Sequence, residues 1–533
     1  MAASTAAISG INRLLSTKST AAAATTSLSH HLPMKPLVFL LLLLNFLFLI
    51  TYLTSHPTTT TTTPTTTPLS LHLHLHHHTQ MTLLPSSLKP WPTSLPSYLP
   101  WLHNKPKPFS CEAFFGNGFT RIVDLMPRGG GESWFLCRYS ETLRSSVCEG
   151  GGVRMDVGKV RMSRGGERVE DVIGRRDEEE LPGFEEGAFR VLGRGGGRRR
   201  KERLVGEEVL HEVVAAGQVG MHTMRELVKG IEVVGKEEFD CDQWIEEPTL
   251  LLTRFEYANV FHTYTDWYSA YVSSRVTGLP RRPLVVFLDG HATTGLEETW
   301  EALFSGYRFA KNFTGPVCFR HAIFVPLGYE TALFKGLTET IDCHGAPAHQ
   351  LWENPDDHKT GRLSEFGEMV NAAFGFPVDK PRTPDPTADI NILFIRREDY
   401  LAHPRHTGKV ESRLSNEQEV FDALRRWVYS QSHCRLKLVN GLFAHMPMKE
   451  QLRAIQDASV IIGAHGAGLT HMLSASPNAT ILEIISSEYR RPHFRLIAQW
   501  KGLDYHAINL SGSYAKPAVV ISQLKSLLAK FGC

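Results

Sequence analysis

Residues 459–471 read SVIIGAHGAGLTH, and this stretch decides the fold class. Val460, Ile461 and Ile462 form an apolar, β-branched run, the pattern of a strand buried on both faces of a parallel sheet. Gly463, Gly466 and Gly468 follow, where the backbone can turn tightly and approach a ligand with no side chain between. A helix pattern begins at Leu469, so its first N–H groups point at whatever fills the loop, and an anion such as phosphate suits them. Residues 479–485 then read ATILEII, a second buried strand with one acid, Glu483, near its end. A glycine loop for phosphate and an acid for ribose hydroxyls fit a nucleotide-sugar donor. The spacing G-x-x-G-x-G is not the dinucleotide fingerprint, and any α/β domain can carry a glycine-rich turn. His465 and His471 add polar groups that a purely structural turn does not require.

Working outward, the same alternation recurs. INILFIRRED empties a strand into Arg396 and Arg397, whose forked donors suit a diphosphate, although a surface salt bridge would use one of them equally well. A helix pattern covers 416–429, a strand lies near Leu436, and a helix over 448–458 leads into the glycine loop. Earlier, a strand from Thr249 leads into the helical NVFHTYTDWYSAYVSS, and a buried strand over 284–288 ends at Asp289. Alternation of this kind predicts an α/β protein of two Rossmann-like domains facing a cleft, with ligands at the carboxyl ends of the strands.

The chain has 533 residues, 42% of them hydrophobic, and a net charge of +2, which excludes a nucleic-acid partner of the usual basic kind. No acid precedes Glu112. Residues 37–53, LVFLLLLLNFLFLITYL, are apolar enough and just long enough to span a bilayer. Arg13, Lys18 and Lys35 precede the run and the next lysine is Lys89, so the positive-inside bias places the N-terminus in the cytosol and the rest in the lumen. A transit peptide is the alternative for the first 33 residues, and Met34 is an alternative start. The expected layout is a cytosolic tail (1–36), a transmembrane signal anchor (37–53), a disordered Thr/Pro/His-rich stem (54–110), an acceptor-side region (111–380) and a donor-binding domain (381–533). All eight cysteines follow the anchor and none forms C-x-x-C, so pairing in a lumen is expected rather than zinc or redox chemistry. Sequons at Asn312, Asn478 and Asn509 fit that compartment.

No metal site is predicted. Asp240-Cys241-Asp242 has the letters of a cation motif but follows the charged GKEEF rather than a buried strand, and Asp289 stands alone. Two arginines and a helix start can balance a leaving diphosphate without a cation. A luminal lectin would not need the glycine loop, the paired arginines and Glu483 together, and the fingerprint of a nicotinamide oxidoreductase is missing.

The blocks FFGNGFTRIVD, SWFLCRYSETL, EEPTLLLTRFEYANVFHTYTDWYSAYVSSRVTGLP, FGEMVNAAFG, RREDYLAHPRH, MKEQLRAIQDASVIIGAHGAGLTHMLSASPNATILEII and RPHFRLIAQWKGLDYHA occur in this order. On them the chain resembles the plant beta-1,2-xylosyltransferases of the N-glycan pathway, in glycosyltransferase family 61. The resemblance implies a GT-B fold in a Golgi type II membrane enzyme. It implies inverting transfer of xylose from UDP-xylose to the 2-hydroxyl of the core β-mannose of N-glycans. Another family 61 transferase with a different UDP-sugar or acceptor is the alternative. The resemblance also implies roles for N-x-x-H-x-x-x-D, here Asn259, His262 and Asp266, and for Asn416 and Glu417 beside the donor. On a helix His262 and Asp266 share a face, as a base with its orienting acid or as a buried structural pair. The base is left open among His262, Asp266 and Asp289; the donor site is expected to use Arg396, Arg397, Asn416, His465, Gly466, Gly468 and Glu483.

Overall fold

A computed structural model describes residues 119–129, 133–141, 143–193, 202–214, 221–279, 282–338, 363–376, 389–397, 413–477 and 479–533. The predicted tail, anchor and stem, with Asn478 and most of the basic loop after Gly193, lie outside the described residues. Among the described residues no helix is long and apolar enough to cross a membrane.

The C-terminal part is a five-stranded parallel sheet. Its order is Leu436–Gly441, Ile390–Ile395, Val460–Ala464, Thr480–Ile485, Asp504–Asn509. In chain order this is 2-1-3-4-5, so the winding reverses between Ile390–Ile395 and Val460–Ala464. Doubly wound sheets bind ligands at the carboxyl ends of the two strands flanking such a reversal. Burial follows position: VIIGA and TILEII, inside the sheet, are buried throughout, whereas the two edge strands are half-exposed. Helices Glu417–Tyr429, Met448–Asp457, His493–Lys501 and Pro517–Leu528 flank it. Gly502, at φ 75°, ends the third in the left-handed conformation that glycine adopts freely.

The N-terminal part is more elaborate than the alternating pattern alone implied. It holds a seven-stranded mixed sheet and a separate six-stranded sheet. In the larger, Ala322–Phe324, Thr249–Leu252, Leu284–Phe287 and Gly306–Phe309 run parallel. Arg121–Met126, Trp134–Ser140 and Ser145–Gly151 extend it as an antiparallel meander, because their connections are too short for the crossover a parallel pair needs.

The helix Val260–Val276 carries almost no amphipathic pattern because nearly all of it is buried. One apolar core joins its Tyr264, Trp267 and Tyr271 to Phe366 and Met369 of the helix Leu363–Ala373, and to Leu393, Ile461 and Leu469 under the C-terminal sheet. At Gly367 that middle helix approaches the carbonyl of Leu473 so closely that a Cβ would not fit. Disulfides Cys137–Cys148, Cys241–Cys318 and Cys434–Cys533 join the described cysteines.

Candidate active site

A cleft of about 590 Å³ opens at the winding reversal. One wall is the N-terminal part: Glu256, Asn259, and the loop Thr293, Thr294, Gly295. The other carries Arg396, Arg397, Arg413, Gly466, Gly468 and His471. Asn259 caps the long helix by accepting the N–H of Phe261 at 3.0 Å, so the helix start abuts the cleft.

The glycine loop serves its neighbours first. Gly466 has φ 173°, extended backbone open to any residue, and a Cβ there would run into the guanidinium of Arg397. A Cβ on Gly468 would lie 2.9 Å from Ile395. These glycines therefore let Arg397 and the adjacent strand end close over the loop. The loop runs into a 3₁₀ helix, Ala467–Ser474, rather than the expected α-helix.

Arg396 and Arg397 share one carboxylate. Glu417 accepts the backbone N–H of Arg397 at 2.9 Å and pairs with the Arg396 side chain at 3.5 Å, while Gln418 takes another Arg396 donor at 2.7 Å. Burial pushes Glu417 up to about 6, with the Arg397 N–H and the Arg396 charge acting the other way. Arg413, unmarked by any motif or periodicity, adds a third guanidinium and stacks on Tyr489 at 3.3 Å.

Several expected site residues have other work. Glu483 is fully buried and accepts from His465 Nδ1 and from the Tyr505 hydroxyl, each at 2.5 Å, so neither oxygen is left for a ribose. Asn416 clasps the backbone of Ala515, accepting its N–H at 3.0 Å and donating to its carbonyl at 2.8 Å, and does not line the cleft. Asp289 is sealed against Arg254, with contacts of 2.7 Å to the backbone N–H and 2.8 Å to the guanidinium. Burial alone would raise Asp289; the Arg254 charge outweighs it and holds the carboxyl below its usual range. Glu297 takes a further Arg254 donor at 2.7 Å and accepts the Thr294 N–H at 2.6 Å, which ties this buried network to the cleft loop.

His262 and Asp266 share a helix face without bonding each other. Asp266 is 4% exposed and accepts backbone N–H groups of Gly328 and Phe255; its Oδ2 has no partner among the described residues. Burial, then the like charge of Asp289, pushes Asp266 well above the usual carboxylate range. His262 is half-buried among Tyr329, 5.3 Å away, and Phe334, 6.1 Å away. Its neighbour Phe261 meets His493 across the two parts at 5.4 Å. His471 bonds Tyr264 at 3.3 Å, and burial pushes its imidazole down to about 3. Asn312 and Asn509 are exposed, while Asp240-Cys241-Asp242 lies outside the cleft with its cysteine in a disulfide.

Residues 244–482 match the Glycosyltransferase 61 family. The chain is 57% identical over 528 residues to a beta-1,2-xylosyltransferase of Arabidopsis thaliana, covering 92% of this chain and 97% of that protein. The chain belongs to glycosyltransferase family 61. A second relative, beta-1,2-xylosyltransferase RCN11 of Oryza sativa subsp. japonica, is 61% identical over 454 residues, 84% of each chain. The EGF domain-specific O-linked N-acetylglucosamine transferase of Gallus gallus is 26% identical over 279 residues, half of this chain and 45% of its own length. Within this glycosyltransferase the family match includes residues of both walls, from Glu256 to His471.

Proposed function

We propose that the chain, a beta-1,2-xylosyltransferase by its kinship, moves xylose from UDP-xylose to the 2-hydroxyl of the core β-mannose of N-glycans. The observation that carries this reading is identity extending along nearly the whole length of beta-1,2-xylosyltransferases. The reading includes a GT-B arrangement and a Golgi type II enzyme, anchored by residues 37–53 with the catalytic region luminal. Asn312, Asn478 and Asn509 are its candidate glycan acceptors.

In this mechanism Arg396, Arg397 and Arg413 receive the diphosphate of UDP-xylose. The mannose oxygen attacks the anomeric carbon in line. The bond from that carbon to the β-phosphate oxygen breaks, its electron pair staying with UDP, and the configuration inverts. The hydroxyl proton passes to a base, which we assign to His262 beside the helix start. Three guanidiniums can balance the leaving charge without a cation.

The test is incubation of the purified full-length protein in detergent with UDP-xylose and a mannose-terminated N-glycan, with the product linkage read by NMR. A β-1,2-linked xylose on the core mannose is expected. Transfer from another UDP-sugar with no use of UDP-xylose would overturn the donor assignment, and xylose at another position the acceptor.

A further inference from the structure

Glu483 presents an energetic question. A carboxylate with no exposed surface, on an inner strand of a parallel sheet, carries a large desolvation cost unless its oxygens are engaged. Both are, by one donor from each side. In register, Gly463 and Ala507 flank Glu483 on the neighbouring strands. Tyr505 lies two residues before Ala507, and His465 two residues after Gly463. Alternation puts both on the face that Glu483 uses, and each reaches it at 2.5 Å. Tyr505 donates O–H, its proton held tightly because burial and the neighbouring carboxylate push its ionisation far up.

The consequence falls on His465. With Nδ1 engaged by Glu483, Nε2 is the nitrogen left for a ligand. The ring packs edge-on against Phe494 at 5.0 Å and His493 at 6.0 Å, which fixes its plane. Its backbone N–H still bonds Ile484 at 2.9 Å, so the residue is an extension of the sheet rather than a loop. His465 is buried and does not itself line the cleft; it sits between Ala464 and Gly466, which do, and Gly466 is the glycine on which Arg397 lies.

We propose that Glu483 and His465 form a carboxylate–imidazole dyad. His465, protonated on both nitrogens, donates Nε2–H to the leaving diphosphate, and Glu483 is a positioning residue that accepts Nδ1–H and balances the ring's charge. The inference rests on the donor side assigned above but not on which sugar is carried. As the anomeric carbon–oxygen bond breaks, the electron pair and negative charge collect on the phosphate oxygen, and Nε2–H donates to it. A donor aimed at charge that develops only in the transition state lowers the barrier more than it tightens binding.

A double-mutant cycle tests this, run with whichever nucleotide sugar the full-length wild type turns over. Failure of UDP-xylose therefore affects the donor assignment and leaves the dyad testable. His465→Ala is expected to lower kcat by about 10²–10³, as losing one such donor does. Glu483→Gln is expected to lower it at least tenfold, and the double variant to be no slower than His465→Ala alone. Additive losses, or wild-type turnover in Glu483→Gln, would overturn the proposal. Tyr505→Phe, which spares the dyad's own bond, is a milder variant whose loss must likewise vanish in the His465→Ala background. Nitrogen NMR of histidine-labelled protein gives a readout independent of activity. His465 should carry protons on both nitrogens with UDP bound, and a ring protonated on one nitrogen only would sink the idea.

Discussion

Arg397 lies across Gly466 so closely that a single added methyl group would collide with its Nη1. The glycine's φ of 173° strains no residue, so substitution acts by displacing the guanidinium and not through the backbone. Gly466→Ala is expected to cost about 1.5–3 kcal/mol of UDP affinity, the range for a charged hydrogen bond, with little change in melting temperature. Calorimetry with UDP decides it, and unchanged affinity would show that Arg397 does not hold the donor.

Glu417 makes a pH prediction. Its folded value of about 6 exceeds the ordinary glutamate value, so the folded state binds more protons over that window. Stability should therefore fall as pH rises from about 4.3 to 6 and level off above. Glu417→Gln keeps an acceptor for the Arg397 N–H and removes the titration. Relative to wild type, the variant should gain up to about 2 kcal/mol between pH 4.5 and pH 7, read from urea titrations. An equal gap at both pH values would contradict the raised acid.

For the base, the geometry separates two residues that share a helix face. His262→Ala should lower turnover by about 10²–10⁴ while UDP still binds. Asp266, raised by burial and bonded to Gly328 and Phe255, is expected to tolerate Asn with turnover within a few-fold and no loss of stability at neutral pH. The reverse pattern in kcat would move the base to Asp266.

Activity without a divalent cation is the fourth expectation. Turnover with UDP-xylose should persist in EDTA; loss that manganese restores would show that Arg396, Arg397 and Arg413 do not suffice.

Cys434–Cys533 spans 99 residues and ties the start of an edge strand to the segment after the last helix. Removing a native link of this reach typically costs about 2–5 kcal/mol. Cys533→Ser should shift the urea midpoint accordingly while leaving the UDP dissociation constant in the folded protein unchanged.

The sequence made the C-terminal sheet readable because both its inner strands and its glycine loop are continuous local patterns. VIIGA and ATILEII could hardly be anything but buried strands, and Arg396 and Arg397 reach the cleft because they end one. Glu483 misled because its partners, His465 and Tyr505, depend on strand register, which no single segment contains. Asn416 misled likewise, its amide being spent on Ala515 about a hundred residues away in sequence. Asp289 ended a good strand as catalytic acids do, yet Arg254, at the end of the parallel neighbour, claims it. Arg413 had no pattern at all. The antiparallel meander and second sheet of the N-terminal part escaped because short aromatic strands with glycine-rich turns leave their pairing open.

The apolar core that runs from Trp267 through Phe366 to Ile461 has a bearing on engineering. Chimeras that splice the C-terminal half of one family member onto the N-terminal half of another would cut through interdigitated side chains, not through a hinge. New sugar or acceptor preferences in this scaffold should therefore come from point changes along the cleft rim, with the joint between the halves inherited intact.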